Sequence, residues 1–210
     1  MKRLITGCAR SGTKFISNLL SQLFLDMPHE RLGTDGSVSW YAGGLKIKYP
    51  SLYDKNKFDI VLHQSRNAIE TIESITTLKY WNYSNRGKNL PKGPSISYVS
   101  PMEIIPQIED ENLILQSAKF WYYFNTHIMS FAEWTYPVEK IIKDEEIFSE
   151  FCHRLKISEV PDNIFLNDNI HSRKHHSNRL MVNWDVLEVL DKDLTEKIRI
   201  LNFELGYGDE

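Results

Sequence analysis

The segment Gly7-Cys8-Ala9-Arg10-Ser11-Gly12-Thr13 limits the fold of this chain more than any other. It follows Arg3–Thr6, which reads as a short buried strand. After it, Phe15, Ile16, Leu19, Leu20, Leu23 and Phe24 recur at helical spacing. Glycines let a backbone curl so that its N–H groups point inward, and the start of a helix adds partial positive charge. A loop built this way, between a strand and a helix, is a receptor for a phosphate or sulfate group.

The same alternation continues. Residues 58–63 form a second strand candidate with a β-branched centre, and Ile69, Ile72 and Ile75 then predict a helix with one apolar face. Strand, helix, strand, helix predicts an α/β fold: three layers, α/β/α, around a central parallel sheet. Residues 79–100, with Pro91, Gly93 and Pro94, read as a long loop of the kind that often serves a site. Further on, the pattern predicts a long aromatic-rich helix over 111–134, a strand over 137–142 and a helix over 145–155. Residues 160–183 read as irregular, and one final helix covers 184–205 and ends at Gly206. With 210 residues, 41% of them hydrophobic, and no linker or repeat, a single domain over 1–210 is expected.

Composition removes several classes of function. A net charge of -3 makes no demand for nucleic acid as a partner. No apolar run is long enough for a signal peptide's hydrophobic region or a bilayer span, so a cytoplasmic protein with no membrane partner is expected. Cys8 and Cys152 are too few for a disulfide framework or a four-cysteine zinc site.

Gly7 and Gly12 have the spacing of the nucleoside triphosphatase loop, yet Gly12 is followed by Thr13-Lys14 instead of Lys-Ser or Lys-Thr. A magnesium–ATP enzyme needs the lysine on the terminal phosphates and the following hydroxyl on the metal. The strand at 58–63 runs into His63-Gln64, with no acid placed to hold that metal. These departures weigh against a P-loop kinase or nucleotide hydrolase, and no metal is expected.

Arg10-Ser11-Gly12-Thr13 resembles the 5′-phosphosulfate loop of sulfotransferases that use 3′-phosphoadenosine 5′-phosphosulfate (PAPS), a family of the P-loop fold type. The resemblance implies that Arg10, Ser11, Gly12 and Thr13 bind the phosphosulfate, with Lys14 neutralising charge nearby or lying on the helix surface. The family holds the cofactor's 3′-phosphate with an arginine at a strand end and a serine eight residues later, a spacing matched by Arg66 and Ser74. Arginine's fork suits a phosphate through charge-assisted hydrogen bonds. A late basic loop would add Arg173 and Lys174, unless these are simply solvated. His171 and His175 have ligand spacing, but the neighbouring cations and the lack of a third ligand argue against zinc.

Sulfonate transfer to a hydroxyl benefits from a base. The stretch from His29-Glu30 through Asp35-Gly36 to Ser39-Trp40 resembles a segment of a bacterial branch of the family. That likeness implies Glu30 as the base, with His29 second; pairing with Arg31 or capping of a helix is the alternative for Glu30. His63 reads as a satisfied histidine at a strand end. Some of the aromatics in Phe120-Trp121-Tyr122-Tyr123-Phe124 are expected on the acceptor side, most in the core. The implied activity is transfer of sulfonate from PAPS to a hydroxyl of a carbohydrate or small metabolite, releasing adenosine 3′,5′-bisphosphate. A kinase or hydrolase, and a non-catalytic nucleotide-binding protein, stand as alternatives.

Overall fold

The computed structural model describes residues 1–48, 58–78, 101–161, 164 and 179–208. Among the described residues four strands make one sheet: β1 (Arg3–Thr6), β2 (Gly36–Val38), β3 (Ile60–Ser65) and β4 (Trp134–Pro137). All pairings are parallel, in the order β2-β1-β3-β4. The helices are α1 (Thr13–Gln22), α2 (Trp40–Lys48), α3 (Ala68–Ile75), α4 (Pro101–Ile104), α5 (Leu113–Met129), α6 (Glu145–Arg154), α7 (Trp184–Leu190) and α8 (Lys192–Glu204).

Successive strand residues point to opposite faces, and the core divides accordingly. Leu4 and Val61 join one cluster, with Ala68 and Ile72 of α3, Phe120 and Phe124 of α5 and Ile198 of α8. Ile5, Ile60 and Leu62 join the other, with Ile16, Leu19 and Leu20 of α1 and Phe151 of α6. The sheet is therefore covered on both faces, as the alternating pattern predicts and as a three-layer arrangement requires.

The strand β2 and the helices α2 and α4 were not anticipated. β2 is three residues long, and α2 contains Gly43 and Gly44, which lower helix propensity. Gly43 is required by packing, because a Cβ there would sit 2.2 Å from Thr6 Oγ1. Other boundaries moved. The long helix starts at Leu113, where Asn112 Oδ1 accepts from the amides of Ile114 and Leu115, and it stops at Met129. Trp134 lies in β4, and residues 138–142 form a 3₁₀ turn instead of a strand. Pro137 has no N–H for a sheet ladder, and Val138 and Ile141, three apart, turn inward. The expected last helix is two, broken at Asp191, which is extended (φ −159°) and accepts from Leu194 N to cap α8. Gly206 ends the chain's last helix with φ 89°, as expected. The loop proposed over 79–100 lies outside the described residues.

His63 is fully buried and satisfied on both sides. Asn125 Nδ2 donates to Trp121 O, so Asn125 Oδ1 accepts from His63 Nε2 at 2.9 Å, and His63 Nδ1 accepts from Thr135 Oγ1 at 3.2 Å. Burial lowers its pKa to about 4. His63 is thus expected to stay neutral until the pH falls near 4, which the pH dependence of its ring signals in NMR would check; protonation near the ordinary value of about 6.5 would contradict this environment.

Candidate functional site

The connections leaving β1 and β3 go to opposite sides of the sheet: α1 lies in one core cluster and α3 in the other. In an open parallel sheet the crevice at such a reversal, beyond the carboxyl ends of the strands, is where ligands bind. The Gly7–Gly12 loop follows β1 at this point, and Arg66 follows β3.

Glycine is required at both ends of the loop. A Cβ on Gly7 would sit 2.2 Å from the Gln64 carbonyl oxygen of β3 and 2.7 Å from Ser11 Oγ. Gly12 has φ 90°, a conformation side chains disfavour, and as the N-cap of α1 it offers no side-chain hydrogen bond. Arg10 also adopts a positive φ, 73°. Ser11 N donates to Cys8 O, closing the turn, and Gln64 Nε2 donates to Ser11 O at 2.6 Å. Gln64 thus ties the loop to β3, a role the sequence signals only as a polar residue at the end of an apolar strand. Cys8 lies beneath, its thiol pushed well above the usual range by burial and so kept protonated.

A cleft of about 480 Å³ opens over this loop. Arg10, Gly12, Thr13 and Lys14 line one part, His29 and Glu30 another, and Arg66 and Ser74 a third, with Trp40, Leu78 and Pro101 as an apolar wall. The residues proposed from three distant stretches of sequence therefore share one cavity. Ser11 is buried within the loop below it. Arg173, Lys174, His171 and His175 lie outside the described residues. Arg179, which ends that basic run, pairs with Glu73 on α3 beside Ser74, and Leu180 N donates to Thr76 Oγ1.

His29 Nε2 lies 3.0 Å from Thr13 Oγ1 and 3.6 Å from Glu30 Oε1. Burial, and then the charge of Lys14, lower the His29 pKa. Glu30, at φ 55°, tucks its carboxylate under the start of α2, where Oε2 accepts from Ser39 Oγ at 2.5 Å and Oε1 from Trp40 N at 3.3 Å. The helix contact raised as an alternative for Glu30 is therefore present, alongside its place in the cleft. Its side chain is 12% exposed, and burial raises its pKa to about 7 against the opposing hydrogen bonds. A carboxyl group poised near neutrality is suited to take a proton.

Arg66 is engaged on three sides. NH2 donates to Glu70 Oε2 at 2.9 Å, Nε lies 3.3 Å from Glu139 Oε1, and NH1 donates to Arg10 O at 3.3 Å. The two carboxylates hold two edges of the guanidinium, and NH1 is the nitrogen turned to the glycine loop. Tyr207 OH approaches Glu139 Oε2 at 2.7 Å from the chain's end. Glu139 and Tyr207 have no local sequence signal linking them to Arg66.

Of the α5 aromatics, Phe120, Trp121 and Phe124 are fully buried, Tyr122 packs at the core's edge and Tyr123 is exposed. It is Trp40 that reaches the cleft, packed edge-on against Phe120 at 6.0 Å. No protein-family model matches the chain, and no curated protein or solved structure matches it.

Proposed function

We propose that this chain is a PAPS-dependent sulfotransferase of the P-loop fold type, acting in the cytoplasm on a hydroxyl of a carbohydrate or small metabolite. The observation that carries the reading is the meeting of the glycine loop, Arg66 with Ser74, and Glu30 with His29 in one cleft at the sheet's reversal point.

The donor set suits an anion at each end. Gly12 leaves the start of α1 without a side-chain cap, and Arg10 and Lys14 add positive charge beside it. Arg66 lines the cleft, with NH1 turned toward the Arg10 carbonyl and away from Glu70 and Glu139. When bound, PAPS supplies an activated sulfonate and adenosine 3′,5′-bisphosphate as leaving group. Arg10, Ser11, Gly12, Thr13 and Lys14 hold the phosphosulfate end and offset charge that grows on the leaving phosphate. Arg66 and Ser74 hold the 3′-phosphate. Glu30 takes the acceptor's proton, and His29, held by Thr13, stands next to it. Trp40, Leu78 and Pro101 exclude water and give the acceptor an apolar face. No helix among the described residues is long and apolar enough to cross a membrane.

The spacing of Gly7 and Gly12 also favours a nucleotide kinase or hydrolase, and thermal shift separates the two. PAPS or adenosine 3′,5′-bisphosphate is expected to raise the melting temperature where magnesium–ATP does not. Transfer of label from PAPS to an acceptor panel then separates an enzyme from a nucleotide-binding protein without activity. Turnover is expected to persist in excess EDTA, because β3 ends in Gln64-Ser65 where a metal enzyme needs an acid, and the Gln64 amide is committed to Ser11. Inactivation by the chelator, reversed by magnesium, would restore the kinase reading.

A further inference from the structure

Ser39 is fully buried between Glu30 and the first turn of α2. Its Oγ accepts from Ala42 N at 3.0 Å, which caps the helix. An amide can only donate, so the hydroxyl's one hydrogen is left for Glu30 Oε2, 2.5 Å away. A proton on Oε2 would force Ser39 Oγ to accept twice and would turn its own hydrogen into the protein interior. The buried hydroxyl would then lose its acceptor, an arrangement that folded proteins avoid. The other carboxyl oxygen, Oε1, lies beside Trp40 N and His29 Nε2, between two residues that line the cleft.

We infer that Ser39 is a positioning residue, which commits Oε2 of Glu30 to the protein and leaves Oε1 as the oxygen that takes a proton from a molecule in the cleft. The inference deepens the reading of Glu30 as the base and rests on it for its catalytic meaning. Of the hydrogen bonds that favour ionised Glu30 against burial, the one from Ser39 is the strongest. The charged or titratable groups that share the cleft with Glu30 are His29 from its own segment, Lys14 at the start of α1, Arg10 from the loop and Arg66 beyond β3. Among the described residues the hydroxyl hydrogen bond to Oε2 comes from Ser39, so its removal takes the donor from that oxygen as well as the cap from Ala42 N.

The test is an infrared titration of the Glu30 carboxyl in the full chain, with Glu30→Gln identifying the band. Ser39→Ala removes the donor, and Ser39→Cys keeps its approximate shape with a much weaker donor. In both, the midpoint is expected to rise by about one pH unit, a tenfold change in proton affinity. Ser39→Thr, which retains the hydroxyl, is expected to restore the wild-type midpoint. Either the alanine or the cysteine variant suffices if the other does not fold. An unchanged midpoint in the folded variant overturns the inference. The acid limb of turnover with PAPS should move together with the band. A band that moves while that limb stays, or a wild-type protein with no sulfonate transfer, would count against Glu30 as the base while leaving Ser39's hold on Oε2 supported.

Discussion

Glu30→Gln is expected to lower turnover by roughly 100- to 10,000-fold, the usual contribution of a general base, while affinity for adenosine 3′,5′-bisphosphate stays nearly unchanged. Glutamine fits the site: its amide oxygen can accept from Ser39 Oγ as Oε2 does, and its amide nitrogen takes the place of a protonated Oε1 on the cleft side. The shape is kept and the proton acceptor is lost. Wild-type turnover should rise with pH through about 7 as Glu30 ionises, and this limb should vanish in the variant. His29→Ala is the comparison, made on equally folded protein. Full turnover in Glu30→Gln with collapse in His29→Ala would move the base to His29, and full turnover in both would place the base elsewhere.

The same substitution has an expected effect on stability, with a sign fixed by linkage. The folded pKa of Glu30, about 7, lies above its unfolded value of about 4.5, so the folded state binds the proton more tightly. Its contribution is fully present below about pH 4.5 and is lost as pH rises to about 7, a loss on the order of 3 kcal/mol. His63 acts in the opposite sense, since its folded pKa of about 4 lies below its unfolded value of about 6.5. It stabilises the protein above about pH 6.5 and loses that contribution as the pH falls to about 4. Between about pH 4.5 and 6.5 the two slopes oppose each other. Glu30→Gln should therefore be more stable than wild type at pH 8 and should reveal a rise in melting temperature across that window. A variant less stable than wild type at pH 8 would mean that Glu30 is not held in its ionised form against a burial cost.

Arg66→Ala is expected to weaken adenosine 3′,5′-bisphosphate by roughly 10- to 150-fold and to leave adenosine 5′-monophosphate nearly untouched. The loss of one charge-assisted hydrogen bond costs about 1.5–3 kcal/mol, and each 1.4 kcal/mol is a factor of ten in affinity. Glu70 and Glu139 occupy two edges of the guanidinium, so the contact is expected through NH1 and not through the full fork. Arg66 is buried and its removal leaves Glu139 without that partner, so some loss of stability accompanies the change. Comparing both ligands on one variant by calorimetry cancels that loss. Ser74→Ala should show the same selectivity with a smaller effect, because serine adds a neutral bond. Equal losses for both nucleotides would remove the 3′-phosphate from Arg66.

Local features carried most of what was legible in the sequence. The glycine loop, the helical spacing from Phe15 to Leu23 and the alternation of strand and helix depend on residues close together in the chain, where steric rules and periodicity act directly. They suffice to place Arg10 to Lys14 after β1 and Arg66 after β3 at the same edge of the sheet. The short β2 and the glycine-containing α2 were hidden, because their conformation rests on pairing with β1 and on close approach to Thr6. The aromatic run of α5 was equally ambiguous. Periodicity showed that its rings must point several ways, and only packing settled that Phe120 supports Trp40 from behind.

The chemistry of the cleft belongs to the tertiary structure. The sequence by itself put His29 and Glu30 side by side and left the role of each open. Burial under α2, with Ser39 and Trp40 as partners, sets Glu30 near neutrality, while burial and then the charge of Lys14 hold His29 below its ordinary pKa. The environment of Arg66 is likewise non-local: Glu139 lies on the far side of β4 in sequence, and Tyr207 comes from the end of the chain. Spacing along a chain can bring residue types to one edge of a sheet. Their charge and proton affinity depend on water exclusion and on partners distant in sequence, which exist only once the chain has folded.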